Sequence, residues 1–178
     1  MIMDPSLREL YQEVILDHSR HPRHFGPLDH ATHKAEGYNP LCGDRVTVML
    51  ALDQDGRVAD LKFEGRGCAI SQASASMMTD MLAGRTLAQA QKLMEGFLHL
   101  VKGEDAGGLT EDDREHLDVM AGISEFPMRV KCATLAWHTF RNALDEGKIE
   151  GASSSEAIGY KEGASSSEAI GYKKGDAA

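Results

Sequence analysis

The chain has 178 residues, 42% of them hydrophobic, which suits one domain with a genuine core. Its formal charge of -9 excludes a general nucleic-acid binder, because such a protein needs a basic surface to displace counterions from phosphate. Residues Met1 to Tyr11 carry no basic region followed by an apolar run, and no later stretch approaches a membrane span, so a cytoplasmic protein with no membrane partner is expected.

Ser6-Leu7-Arg8-Glu9 has the form of a capping box, and Leu7, Leu10, Tyr11, Val14 and Ile15 follow at helical spacing, predicting a first helix that ends near Arg20. Pro22, Gly26 and Pro27 then break regular structure, and a loop is expected to carry the chain to Tyr38-Asn39-Pro40. Between Arg45 and Leu52 the residues Val46, Val48, Leu50 and Leu52 alternate with their neighbours. A turn at Asp53 to Gly56 and the alternating Ala59, Leu61 and Phe63 complete a β-hairpin. After Gly65-Arg66-Gly67-Cys68 the pattern becomes helical, with Ser71 as the expected cap and Gly84 as the stop. Thr86 caps a further helix with apolar positions Leu87, Ala90, Met94, Phe97, Leu98 and Val101, and Thr110 caps a short acidic one. The last helix contains Cys132, Ala136, Trp137, Phe140 and Leu144. Strands precede most of the helices, which predicts an α+β domain over residues 1–148, with helices packed on a small antiparallel sheet.

Residues 149–178 differ in kind. The segment Gly151 to Lys161 recurs unchanged at Gly163 to Lys173, a repeat with a period of 12 residues. It has little apolar content to bury and is too short for a solenoid, so a flexible tail is expected.

The three cysteines include no CxxC pair and make no disulfide framework, so they are expected to be reduced. Asn39-Pro40-Leu41-Cys42-Gly43-Asp44 sets a thiol and a carboxylate two residues apart around a glycine that lets the backbone turn both toward one ion. Thiolate suits zinc or iron, while aspartate offers a harder, more exchangeable oxygen. Taken alone, Asp44 reads equally as a turn residue before a strand. Cys68 stands just before a helix, and Cys132, within Phe126-Pro127-Met128-Arg129-Val130-Lys131-Cys132-Ala133, is placed in the first turn of the last helix. A helix N-terminus beside Arg or Lys lowers a thiol pKa, so both are expected to favour the thiolate. His18, His21, His24, His30 and His33 crowd one region but lack the spacing of a metal motif, and solvated loop histidines are expected.

The segments Asn39 to Arg45, Phe63 to Thr79 and Arg129 to Trp137 resemble the three cysteine motifs of SufU-type members of the IscU/NifU iron–sulfur cluster assembly family. Order and spacing stay similar from about Leu7 to about Leu144. Lys131 stands where IscU proteins have histidine, and part of Gly103 to Gly122 is an acidic segment that IscU proteins lack, both as in SufU. The resemblance implies an α+β fold with Cys42, Asp44, Cys68 and Cys132 as metal ligands. It also implies a zinc-bound sulfurtransferase taking persulfide sulfur from a SufS-type cysteine desulfurase, with other SUF assembly proteins as further partners. The alternative within the family is a NifU/IscU-like scaffold that holds iron or an Fe-S cluster.

Zinc with three thiolates and one carboxylate leaves a surplus of about two negative charges, which Arg45, Arg129 or Lys131 would offset. Cys42, on a loop, is the expected sulfur acceptor, since the attacking thiol must be accessible and able to leave its metal. Two other classes compete: a thiol enzyme using Cys68 or Cys132 with a histidine base, which requires a substrate pocket, and an inert structural zinc module, which seldom uses aspartate.

Overall fold

The first helix, α1 (Pro5–Arg20), starts ahead of the expected capping box. Asp4 is its cap, accepting from the backbone N–H groups of Ser6 and Leu7, and Pro5 fits the first helical position because it has no N–H to leave unpaired. Ser6 therefore lies inside the helix. The structure, a computed structural model, describes residues 4–150 and 173–174, so the expectation for the repeated tail concerns residues almost wholly outside those described.

A strand occupies much of the expected loop. In β1 (His33–Asn39) the residues His33, Ala35, Gly37 and Asn39 are buried and alternate with half-buried Lys34, Glu36 and Tyr38. The inward set is small or polar, so strict alternation of burial left no alternation of hydropathy to detect. The expected hairpin forms from β2 (Asp44–Leu52) and β3 (Val58–Arg66). These strands make an antiparallel sheet in the order β3-β2-β1, and the two-residue strand β4 (Lys173–Lys174) pairs with Ala35 and Glu36 on its outer edge.

Helices cover one face of this sheet. The register sets Ala35, Val48 and Phe63 in one row and Leu50 beside Leu61, and α2 (Ala69–Leu82) and α5 (Pro127–Glu146) pack on that face. Trp137 of α5 stacks on Phe97 of α3 (Leu87–Leu100), with ring centroids 4.2 Å apart. Its indole N–H donates to Ser74 Oγ of α2 at 2.9 Å, and Ser74 in turn donates to the Ala133 carbonyl at 2.5 Å. The small residues of α2 thus admit a tryptophan and still satisfy its one polar atom.

Thr86 caps α3 through a complete capping box with Gln89, and Thr110 caps α4 (Glu111–Leu117), as their positions in the sequence indicate. A 3-10 segment, Asp118–Glu125, leads from α4 into α5. Arg85, at the turn before α3, grips the buried Asp113 of α4 with two hydrogen bonds of 3.2 and 2.7 Å. No helix among the described residues is long and apolar enough to cross a membrane.

Candidate metal centre

The β1–β2 turn, the junction of β3 with α2 and the first turns of α5 meet at one end of the sheet. Asn39 closes β1, and its carbonyl accepts from the N–H groups of Cys42 at 3.3 Å and Gly43 at 2.8 Å. Its side-chain oxygen accepts from the Leu41 N–H at 3.1 Å. Gly43 has a φ of +72°, a left-handed conformation that a glycine adopts without a steric penalty. The turn leaves Cys42 exposed and sends the chain into β2, where Asp44 is fully buried directly opposite Asn39.

The segment that follows β3 approaches this carboxylate closely. A side chain at Gly67 would put its Cβ 2.5 Å from Asp44 Oδ1, so the residue has to be glycine for the carboxylate to stay where it is. The Cys68 N–H then donates to the same oxygen at 3.0 Å. Cys68 itself is the cap of α2, its Sγ accepting from the Ser71 N–H at 3.4 Å, so Ser71 is not the cap that the sequence suggested. A cysteine is not among the usual capping residues, which hid it.

Cys132 lies in the second turn of α5, not its first, and is wholly buried. Its Sγ is 3.4 Å from Cys42 Sγ and can donate to Cys42 or to the Met128 carbonyl at 3.6 Å, while Asn39 Nδ2 lies 4.0 Å away. Burial pushes the Cys132 thiol far above the usual thiol range, and contact with Cys42 and Asp44 and the charge of Cys68 push it further. This is opposite to the shift expected of a helix N-terminal thiol. Desolvation outweighs the helix dipole once the sulfur sits a turn inside the helix and under the β1–β2 turn.

Cys42, Asp44 and Cys132 each offer a ligand atom, and the three atoms lie within 4.8 Å of one another. Tetrahedral coordination with zinc–sulfur bonds of about 2.3 Å separates two sulfurs by about 3.8 Å, a few tenths from the distance observed here. Asp44 Oδ2 is buried with no hydrogen-bond partner, an expensive arrangement for a carboxylate that faces no cation. The residues therefore fit a thiophilic divalent metal. Cys68 Sγ stands outside this group, though near enough for its charge to bear on Cys132.

Of the cationic residues expected to offset the site, Arg45 lies over the Tyr38 ring at 4.8 Å, on the face of β2 opposite Asp44. Arg129 is exposed and Lys131 half-buried in the turns of α5 leading to Cys132. The crowded histidines bind no common centre. His18 and His24 meet Ser76 and Thr79 of α2, while His21 and His30 meet Asp17 and Asp60. His33 is buried against Thr32, not solvated as expected, because it begins the inward-facing row of β1. Two concavities, of about 380 and 540 Å³, are lined by residues such as Tyr38, Arg45 and Glu64 in one and His30, Asp53 and Ile149 in the other, and include no cysteine. The thiol-enzyme reading gains no substrate pocket from them.

Asn39 and Gly67 are the two contributors that residue-type reasoning passed over. Both sit inside the motifs already noted, but neither bears a metal-binding atom.

A small antiparallel sheet covered by helices on one face, with thiols and a carboxylate gathered at its end, defines an α+β domain with a candidate metal centre. The chain belongs to the family described as the NifU-like N terminal domain, whose model matches residues 10–133. It is 39% identical over 155 residues to the zinc-dependent sulfurtransferase SufU of Bacillus subtilis (strain 168), covering 86% of this chain and 100% of that protein. It is 37% identical over 138 residues to the iron-sulfur cluster assembly scaffold protein IscU of Streptococcus pyogenes serotype M1, covering 78% and 84%. Among solved structures, a putative iron-sulfur cluster assembly scaffold protein for the SUF system from Fervidobacterium islandicum AW-1 aligns with a TM-score of 0.64 at 36% identity, covering 76% of this chain and 97% of that one.

Proposed function

We propose that this protein acts in iron–sulfur cluster assembly in the cytoplasm, as a zinc-dependent acceptor of persulfide sulfur from a SufS-type cysteine desulfurase. The observation that carries the reading is the exposed Cys42 thiol 3.4 Å from the buried Cys132, beside a buried carboxylate oxygen with no hydrogen-bond partner. Relatives named for zinc-dependent sulfur transfer and for scaffolding support assembly chemistry in general. The exposed, turn-borne thiol favours sulfur acceptance.

Cys42, Asp44 and Cys132 would hold the metal, with Cys68 brought in as a fourth ligand by a side-chain movement. When bound, zinc supplies Lewis-acid stabilisation of thiolates at neutral pH and no redox change. The chain's own part is to present one sulfur and retain the others. Cys42 can move with its turn, whereas Cys132 is fixed in a helix and Asp44 in a strand. Its thiolate attacks the outer sulfur of the donor persulfide, the donor's sulfur–sulfur bond breaks, and the electron pair leaves on the donor's inner sulfur as a thiolate. Cys42 becomes the persulfide with no net oxidation. Arg129, exposed one turn before Cys132, is placed to meet negative charge on the incoming donor.

Metal analysis of the purified chain, with X-ray absorption, tests the site. About one zinc per chain with zinc–sulfur distances near 2.3 Å is expected, and Asp44→Ala should make the metal more labile with the three thiols intact. A chain carrying iron and inorganic sulfide in place of zinc would favour the scaffold reading. Failure to retain any metal would overturn both.

A further inference from the structure

The two thiols brought together here have unequal surroundings, and one side chain makes most of the difference. Asn39 is fully buried and pairs with Asp44 across the sheet. Its side-chain oxygen is taken by the Leu41 N–H, which fixes the orientation of the carboxamide and leaves the Nδ2 donors directed at Cys132 Sγ. Cys42 Sγ, by contrast, has Cys132 as its only hydrogen-bond partner among the described residues. Only one end of the sulfur pair is thus anchored by a donor that survives loss of the thiol protons.

We infer that Asn39 is a positioning residue that makes Cys132 the retained thiolate of the metal centre and leaves Cys42 the ligand that departs. The inference rests on the metal-site reading above. A thiol can donate one hydrogen, and Cys132 uses it toward Cys42 or Met128. Once metal replaces that proton the sulfur becomes a pure acceptor. The Asn39 N–H is then a donor already in place, and a hydrogen bond to a charged acceptor is shorter and stronger than one to a neutral thiol. The same residue holds the Cys42 turn through its backbone carbonyl, but those bonds leave the Cys42 sulfur itself free to move. Asn39 therefore restrains one thiolate directly and the other only through the main chain.

The test uses the full chain in two arms. In the first, the unaltered protein is loaded with a spin-half isotope of cadmium, and scalar coupling from cadmium through sulfur to the Asn39 carboxamide proton is sought by NMR. A cross-peak is expected. In the second, zinc-loaded protein and its Asn39→Asp variant are treated with iodoacetamide, and the alkylated cysteines are mapped by mass spectrometry. The variant keeps the side-chain acceptor for Leu41 but loses the donor, so alkylation of Cys132 relative to Cys42 should rise about tenfold or more. A cadmium-loaded protein without coupling to Asn39, or a folded variant with an unchanged alkylation ratio, overturns the inference and leaves the metal site standing. If the variant does not fold, the NMR arm decides alone. A chain that binds neither metal overturns the inference together with the reading beneath it.

Discussion

A methyl group at residue 67 separates a working carboxylate from a displaced one. Its Cβ would stand 2.5 Å from Asp44 Oδ1 and 2.9 Å from Cγ, so Gly67→Ala should push the carboxylate off its present position while leaving the core untouched. Metal affinity measured by chelator competition should fall about tenfold or more, with an unchanged far-ultraviolet circular dichroism spectrum. Unchanged affinity would mean that Asp44 does not bear on the metal. The thiols should also differ before any metal binds. Cys42 is exposed, while Cys132 is buried with its thiol pushed far up, so mapping of early alkylation in the metal-free chain should find Cys42 modified well ahead of Cys132. Cys42, Asp44 and Cys132, which the structure brings together, were legible as candidate donors because their motifs resemble those of a family, whereas Cys68, expected with them, stands outside the group. Asn39 and Gly67 were not legible, because their contribution is a hydrogen bond and an empty volume, neither of which a residue type announces.

The amphipathic elements could be read because their burial follows their hydropathy. α3 shows its apolar stripe and its Thr86 cap, and Val46, Val48, Leu50 and Leu52 of β2 and Leu61 and Phe63 of β3 are buried as their spacing indicates, whereas Ala59 is exposed at the register irregularity opposite Ala51 and Leu52. β1 was hidden because its inward row of His33, Ala35, Gly37 and Asn39 is chosen for small size and hydrogen bonding under α5, not for apolar area. The packing of α2 on α5 depends on a polar contact of the same kind. Ser74→Ala should strand the Trp137 indole N–H, while the Ala133 carbonyl keeps its helical partner, costing about 1–3 kcal/mol in urea unfolding followed by tryptophan fluorescence. A loss near zero would show that the indole N–H is satisfied in another way. At the far end of the domain, burial raises the Asp113 pKa, but the Arg85 and Thr110 hydrogen bonds outweigh it and hold the carboxyl below the usual carboxylate range. That clamp therefore stabilises the fold above the ordinary carboxylate pKa and is lost only as pH falls through its lowered value.

For the molecule as a whole, pH enters first through two buried imidazoles. Burial, with the charge of Lys148 at one and of Arg141 and Lys102 at the other, lowers His33 and His138 from 6.5 to about 4. The unfolded chain takes up these protons near pH 6.5 and the folded chain only near pH 4. Stability is therefore full above pH 6.5, declines between 6.5 and about 4, and loses up to about 3 kcal/mol for each group. Urea titrations across that window should show a shallower decline in His138→Gln than in the unaltered chain, and an equal slope would reject the assignment. Above this window the protein should work as a stable frame around one mobile thiol, and its central chemical claim concerns where sulfur arrives. The direct measurement is peptide mass spectrometry of the zinc-loaded chain after incubation with a SufS-type desulfurase and cysteine. One added sulfur on the peptide containing Cys42, absent in Cys42→Ser, is the predicted result. Sulfur found reproducibly on Cys68 or Cys132, with Cys42 unmodified and Cys42→Ser still active, would contradict it.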